Sequence, residues 1–389
     1  MLDPLAPPPQ WLRAYTEPWA EYLNLPTLSE HIHEILAAFL FYQFIHSYLS
    51  PWLSTVLFPR FYPHFPRRTK LNWDVHVVSL VQSTLINLVA LWVMFVDRER
   101  QSMSAAERVY GYTGASGLVQ ALATGYFVYD LIVSTLYVKL FGVGMLFHAI
   151  SALWVFSLGF RPFLNYYAPT FILYELSSPF LNIHWFLDKV NMTGSKAQWY
   201  NGMTLLFVFF SCRLVWGTWQ SACVYMDMWK ALKQTWSMSA ASALVEPPVG
   251  SVINPMVLEQ RNVTLCGIDE SCIMANIEVA KFSHYTSDRV PLWLAVTYVA
   301  SNLILNSLNY YWFSKMIEAV TKRFRETAAP AKEKRPEEVK ESIKHEAVLE
   351  AAAKLEKEEA HFIGGELDDE KTTSAVNVGA NEDLRKRRA

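Results

Sequence analysis

The sequence predicts an all-α, multi-pass membrane bundle of about seven spans, and three observations predict it. Fifty-two per cent of the 389 residues are hydrophobic and only 18% are charged. Those charges are segregated, because 33 of the 70 charged residues lie from Lys315 to Ala389, which leaves the body far more apolar than the average. Finally, seven stretches of roughly twenty mostly apolar residues match the length of helix that crosses a bilayer core of about 30 Å. They run over approximately 31–50, 74–96, 112–138, 141–160, 166–187, 199–226 and 291–313.

Each stretch carries its own signature. The third and fourth are separated only by Lys139 and its neighbours, so they form a tight hairpin. The fifth is interrupted by Pro169 and Pro179 and has Glu175 near its middle. A broken helix at membrane depth is tolerated where neighbours or a cavity satisfy the freed backbone groups. After the seventh stretch, residues 336–361 read as a solvated helix, with Glu350 and Lys354 at i,i+4 spacing. Residues 362–389 are Gly- and Asp-rich and read as disordered, ending in the basic run Arg385-Lys386-Arg387-Arg388.

The loops predict an orientation. Arg60, Arg67, Arg68 and Lys70 follow the first stretch, Lys189 and Lys196 the fifth, and Lys315, Lys322, Arg323 and Arg325 the seventh. By the positive-inside rule these loops face the cytosol. The opposite side receives the long loop at 227–290, with the sequon Asn262-Val263-Thr264 and the closely spaced Cys266 and Cys272. Asn262 is thus the glycosylation candidate and Cys266–Cys272 the disulfide candidate, both suited to a lumenal compartment. The expected organisation is a lumenal N-terminal segment (1–30), a transmembrane bundle (31–315) with the lumenal insertion 227–290, and a charged cytosolic tail (316–389). No cleavable leader is visible, so the first apolar stretch would act as a signal anchor. A formal net charge of −2 gives no reason to expect nucleic acid as a partner. Four cysteines are too few for a disulfide framework.

Ionisable groups inside the apolar stretches point to a site. Asp130, His148, Glu175 and Arg213 stand on four different stretches, and each costs on the order of 2.5–3.5 kcal/mol at mid-bilayer unless a partner or wet cavity receives it. Glu175, Ser178 and Asn182 follow at i, i+3 and i+7 and share a face of a regular helix. His76 opens the second stretch, and Asn306 and Asn309 lie near the cytosolic end of the seventh. In this topology most of these groups fall in the cytosolic half, which predicts a polar pocket open to the cytosolic leaflet. For acyl transfer, His148 would be the general base and Asp130 would orient its imidazole. Arg213, Ser178 or Asn182 would bind a lipid headgroup or a developing oxyanion, and Glu175 and Asn309 are further headgroup-binding candidates. Although His76, His148, Asp130 and Glu175 could ligate a metal, no His-x-x-x-His or Cys-x-x-Cys spacing supports it, and no metal is expected. Hydrolase, phosphate-loop and dinucleotide signatures are absent.

The runs Gly125-Tyr126-Phe127-Val128-Tyr129-Asp130-Leu131, Phe147-His148-Ala149, Glu175-Leu176-Ser177-Ser178-Pro179-Phe180-Leu181-Asn182 and Leu305-Asn306-Ser307-Leu308-Asn309 resemble the TLC domain. The resemblance covers approximately residues 70–230 and 291–325. It implies a multi-helix bundle of the endoplasmic reticulum membrane with a lumenal N-terminus, a cytosolic C-terminus and a lipid-related role. Ceramide synthases of that family carry two adjacent histidines followed by paired aspartates. Here a single histidine, His148, stands between Phe147 and Ala149, and Glu175 is the acid downstream. The resemblance therefore implies the non-synthase branch. The function expected is lipid homeostasis, with membrane lipids as partners and no cofactor. An acyltransferase using His148 and Asp130, which would need acyl-CoA, and a cargo or trafficking factor are the alternatives.

Overall fold

The computed structural model describes residues 1–242, 255–282 and 290–328, and these are helical with no strand among them. The readings of the tail at 336–361 and 362–389 lie outside the described residues. Helix α1 (Gln10–Tyr22) precedes α2 (Leu28–Phe44), which runs through a π-helical stretch, Ile45–Leu49, into α3 (Ser50–Leu57). Then follow α4 (Arg67–Val96), α5 (Gly114–Leu136) and α6 (Val143–Leu158). The turn between the last two is the short hairpin anticipated around Lys139, closing at Gly142.

Three helices among the described residues are long and apolar enough to cross a membrane: Arg67–Val96, Gly114–Leu136 and Lys196–Lys233. The last is a continuous rod made of α8 (Lys196–Phe209), a π-helical stretch at Phe210–Trp216, and α9 (Gly217–Ser242). The seventh apolar stretch and the first residues of the charged tail form one helix, α12 (Leu292–Ala328).

Local signals account for the helix starts. Thr113 accepts a hydrogen bond from the Ser116 amide at 3.3 Å, capping α5, and Ser195 accepts one from the Gln198 amide at 3.2 Å, capping α8. Pro66 precedes α4, whose missing amide hydrogen costs nothing there. Helix α5 is the central post. Two-thirds of its apolar window (67%) is buried, against 39% for α4 and 33% for Lys196–Lys233. It packs on α2, α4 and α6. Its neighbours turn large apolar groups outward, including Leu40 and Phe44 of α2 and Leu88, Trp92 and Phe95 of α4. Such patches on a bundle of spanning length face lipid rather than water. Along α1, Trp11, Tyr15, Trp19 and Tyr22 form an exposed stripe, while Leu12 and Ala20 are buried. That pattern suits the headgroup zone, where Trp and Tyr accumulate.

The fifth apolar stretch is broken, as its prolines require. It consists of a 3-10 turn at Asn165–Tyr167, a short helix at Ala168–Ile172, a second 3-10 turn at Leu173–Ser177, and α7 (Ser178–Lys189) with Pro179 in its first turn. The insertion contributes α10 (Pro255–Leu265) and α11 (Glu270–Ala280), joined by the Cys266–Cys272 disulfide. Asn262 lies half-buried within α10, one turn before that disulfide, rather than in the surface loop that a sequon suggests.

Candidate intramembrane site

A cavity of about 150 Å³ lies between α5, α6, the broken fifth segment, the π-helical stretch and α12. At roughly 10–15 Å³ per water-sized group it holds on the order of ten such groups. That suits a headgroup and part of a chain, not a whole diacyl lipid. Most of its wall is aromatic or aliphatic, with Phe127, Phe156, Phe171 and Trp312 among the residues. The polar groups facing it include Gln120, His148, Glu175, Arg213, Asn302 and Asn309. An apolar chamber with a few convergent polar groups is the usual form of a small-molecule site.

Arg213 sits on the π-helical stretch. Its Nε donates to the Tyr174 carbonyl at 3.0 Å and to Ser177 Oγ at 3.1 Å, and its Nη1 donates to Asn309 Oδ1 at 3.3 Å. The guanidinium lies 4.9 Å from the centre of the Phe209 ring. Every one of these partners is neutral. Both acceptors for Nε come from the second 3-10 turn, where the irregular backbone offers a carbonyl that a regular helix would use internally. Extra-residue π turns recur at functional sites because they swing one side chain off its row.

Glu175, on the same turn, accepts a hydrogen bond from Ser178 Oγ at 2.7 Å. No ion pair joins Glu175 and Arg213 among the described residues, so the cavity presents two separated charges of opposite sign. His148 lines the same cavity and has no hydrogen bond to a described residue. A polar ladder backs the wall. Tyr174 donates to Asn306 Oδ1 at 3.1 Å, Asn306 donates to Asn302 Oδ1 at 2.9 Å and to Ser221 Oγ at 2.8 Å, and Tyr225 donates to Asn302 at 2.7 Å.

Of the residues singled out in the sequence, His148, Glu175, Arg213 and Asn309 line the cavity, whereas Asp130 and Asn182 do not. Asp130 is buried, its carboxylate accepting a 3.4 Å bond from Ser134, and no hydrogen bond joins it to His148 among the described residues. The helical period explains this. Gln120 and Phe127 face the cavity seven residues apart, whereas Asp130 lies roughly 80° round α5 from Gln120 at about 100° per residue.

Asn182 also leaves the group. The i, i+3, i+7 reading assumed one regular helix, but Glu175 belongs to a 3-10 turn and only Ser178 onward is α-helical. The change of pitch directs Asn182 to α4, where it accepts from His76 Nδ1 at 2.7 Å and donates to Ser79 Oγ at 3.0 Å. His76 in turn stacks on Trp185, ring centres 4.1 Å apart. Ser178 reaches the cavity only through Glu175. Gln120, Tyr174 and Asn302 were missed in the sequence, because an isolated amide or phenol in an apolar run is as compatible with helix packing as with a site.

The chain matches the TLC domain over residues 72–318. A TLC domain-containing protein of Schizosaccharomyces pombe is 35% identical over 312 residues, 80% of this chain and 86% of the relative. Topoisomerase I damage affected protein 4 of Saccharomyces cerevisiae is 29% identical over 299 residues, covering 75% of this chain and 85% of its own length. TLC domain-containing protein 4 of Homo sapiens is 28% identical over 180 residues, 46% of this chain and 66% of the relative. No solved structure matches. With the domain spanning more than half of the sequence and a relative alike over four-fifths of it, this chain belongs to the TLC-domain family of membrane proteins.

Proposed function

We propose that this protein binds a membrane lipid by its headgroup in the cavity between α5, α6 and α12, and serves lipid homeostasis in the endoplasmic reticulum membrane. The observation that carries the reading is Arg213: a guanidinium held by three neutral acceptors, facing an apolar chamber, with no carboxylate in ion-pair contact among the described residues. A cation of this kind, held by neutral acceptors at the wall of an apolar chamber, favours an anionic ligand group such as a phosphate, through charge-assisted hydrogen bonds. Glu175 supplies a negative charge for an amine or hydroxyl on the same headgroup. The orientation proposed is N-terminus lumenal and C-terminus cytosolic, with the cavity open to the cytosolic leaflet. The basic loops and the Cys266–Cys272 disulfide support that assignment.

The test is native mass spectrometry of the full chain released from lipid nanodiscs. A phosphate-bearing lipid should remain bound to the wild type and be lost from Arg213→Gln. Equal retention by both proteins would refute the assignment.

A second reading, acyl transfer, is favoured by one observation: His148 lines the cavity together with Glu175 and Arg213. In that reading Glu175 is the carboxyl that lines the cavity with the imidazole, while Asp130 does not line it. Incubation with labelled acyl-CoA and candidate acceptors decides it. A product made by the wild type and not by His148→Ala supports catalysis, and no product from either leaves the binding reading alone.

A further inference from the structure

We propose that Asp3, His31 and Glu34 form a binding site for a divalent metal ion, with zinc the ion that their donor set fits best. The three side chains meet where the N-terminal segment crosses the first turns of α2, away from the cavity. One donor from each, the His31 Nδ1 and a carboxylate oxygen of Asp3 and of Glu34, lies within 4.8 Å of the others. His31 Nδ1 is 2.7 Å from Glu34 Oε2 and 3.3 Å from Asp3 Oδ2. An imidazole with two carboxylates suits zinc better than magnesium or calcium, which favour all-oxygen shells. Tetrahedral bonds of about 2.0–2.1 Å set neighbouring donors roughly 3.3 Å apart. Asp3 and His31 already stand at that separation, and Glu34 needs to withdraw by only about 0.6 Å on the same basis.

Charge and burial argue independently for an ion. His31 and Glu34 are each 1% exposed. No Lys or Arg forms an ion pair with Asp3 or Glu34 among the described residues. Glu34 Oε1 is buried with no hydrogen-bond donor, and His33 Nε2, at 3.9 Å, is beyond bonding distance. Buried carboxylates are ordinarily paired or bound to metal, and here a divalent cation would supply the missing positive charge.

The surroundings have the form of a supporting shell. The second ring nitrogen of His31 bonds the Tyr112 hydroxyl, which fixes the ring and leaves Nδ1 for the ion. Two glycines of α5 make the room. A Cβ on Gly117 would stand 2.3 Å from His31 Nε2, and one on Gly114 would stand 2.4 Å from the Asp3 amide nitrogen. The insertion closes the site from outside. Phe282 packs edge-on to Tyr112 at 5.5 Å, and Lys281 pairs with Glu30 at 2.6 Å. An ion here would tie the N-terminal segment to α2 beneath α11.

The test uses the full chain, purified without a polyhistidine tag, and zinc as the probe. Metal analysis should find about one zinc per chain. X-ray absorption should show one imidazole and oxygen donors, without a sulfur shell near 2.3 Å. Chelator should lower the unfolding temperature and added zinc restore it. Asp3→Asn and Glu34→Gln should each weaken zinc binding at least about tenfold. If Glu34→Gln fails to fold, Asp3→Asn, at the partly exposed edge, carries the test. Folded wild type that takes up no zinc, or variants that bind it as the wild type does, would overturn the assignment.

Discussion

Arg108 and Arg213 are both anchored by several hydrogen bonds, yet they are built for different purposes. Arg108, just before α5, forms a fork with Asp227 of α9: Nε donates to Oδ2 at 2.6 Å and Nη2 to Oδ1 at 2.9 Å. Tyr167 adds a third bond to the same carboxylate at 2.7 Å. Donating hydrogen bonds to Asp227 raises the Arg108 guanidinium above its ordinary range. The charge is answered within the protein, and the pair closes the bundle between distant segments. Arg213 is held just as firmly, but only by dipoles, and it faces a chamber. Neutral partners alone do not make the distinction. Arg100 also bonds neutral groups, the Tyr166 carbonyl and Thr170 Oγ1, but it is buried beneath the Tyr166 ring and does not line the cavity. The lesson is that a buried cation marks a binding site when it is both uncompensated and accessible.

Four substitutions would break or sharpen this contrast. The largest loss of stability is expected from Asp227→Asn, which strips a partly buried guanidinium of its counter-charge and should cost about 2 kcal/mol, below the range for a fully buried pair. It is measured as a lowered unfolding midpoint in detergent. Arg213→Met should do the reverse, leaving that midpoint near the wild-type value. A charge-assisted hydrogen bond is worth about 1.5–3 kcal/mol, so retained lipid should fall about tenfold or more. Were Arg213→Met to unfold the protein as Asp227→Asn does, the two arginines would be alike and the binding argument would fail. Asn309→Ala removes a neutral acceptor that orients Arg213. It should weaken lipid retention by roughly 1 kcal/mol, about fivefold, in the same mass spectra. The smallest effect on lipid retention is expected from Asn182→Ala, which cuts the bonds to His76 and Ser79 between α4 and α7, each worth about 0.6 kcal/mol. It should lower the midpoint slightly and leave lipid occupancy unchanged.

Much of this was legible in the residues. Prolines at 169 and 179 with Glu175 between them marked the segment that breaks, and the break supplies the carbonyl and the carboxylate at the cavity. Arg213, His148 and Asn309 stood out because charged and amide groups in apolar runs are rare enough to notice. The π-helical turn beneath Arg213 was not legible, since no residue type in Phe210–Trp216 demands an extra residue per turn. Nor was the cluster at the N-terminus. His31, His33 and Glu34 fall in four residues of one helix, a density that could have drawn attention, but Asp3 joins them only across a chain reversal.

By itself the sequence determined the membrane character, the segregation of charge into the tail and which apolar stretches carry ionisable groups. These follow from composition and from the length of helix a bilayer requires. The tertiary structure alone decided which of those groups share a chamber. A side chain's partners depend on helix pitch and rotation, and one 3-10 turn is enough to send Glu175 and Asn182 to different neighbours. For the same reason Asp130, so prominent in the sequence, bonds Ser134 and does not line the cavity, while His148, Glu175 and Arg213 do.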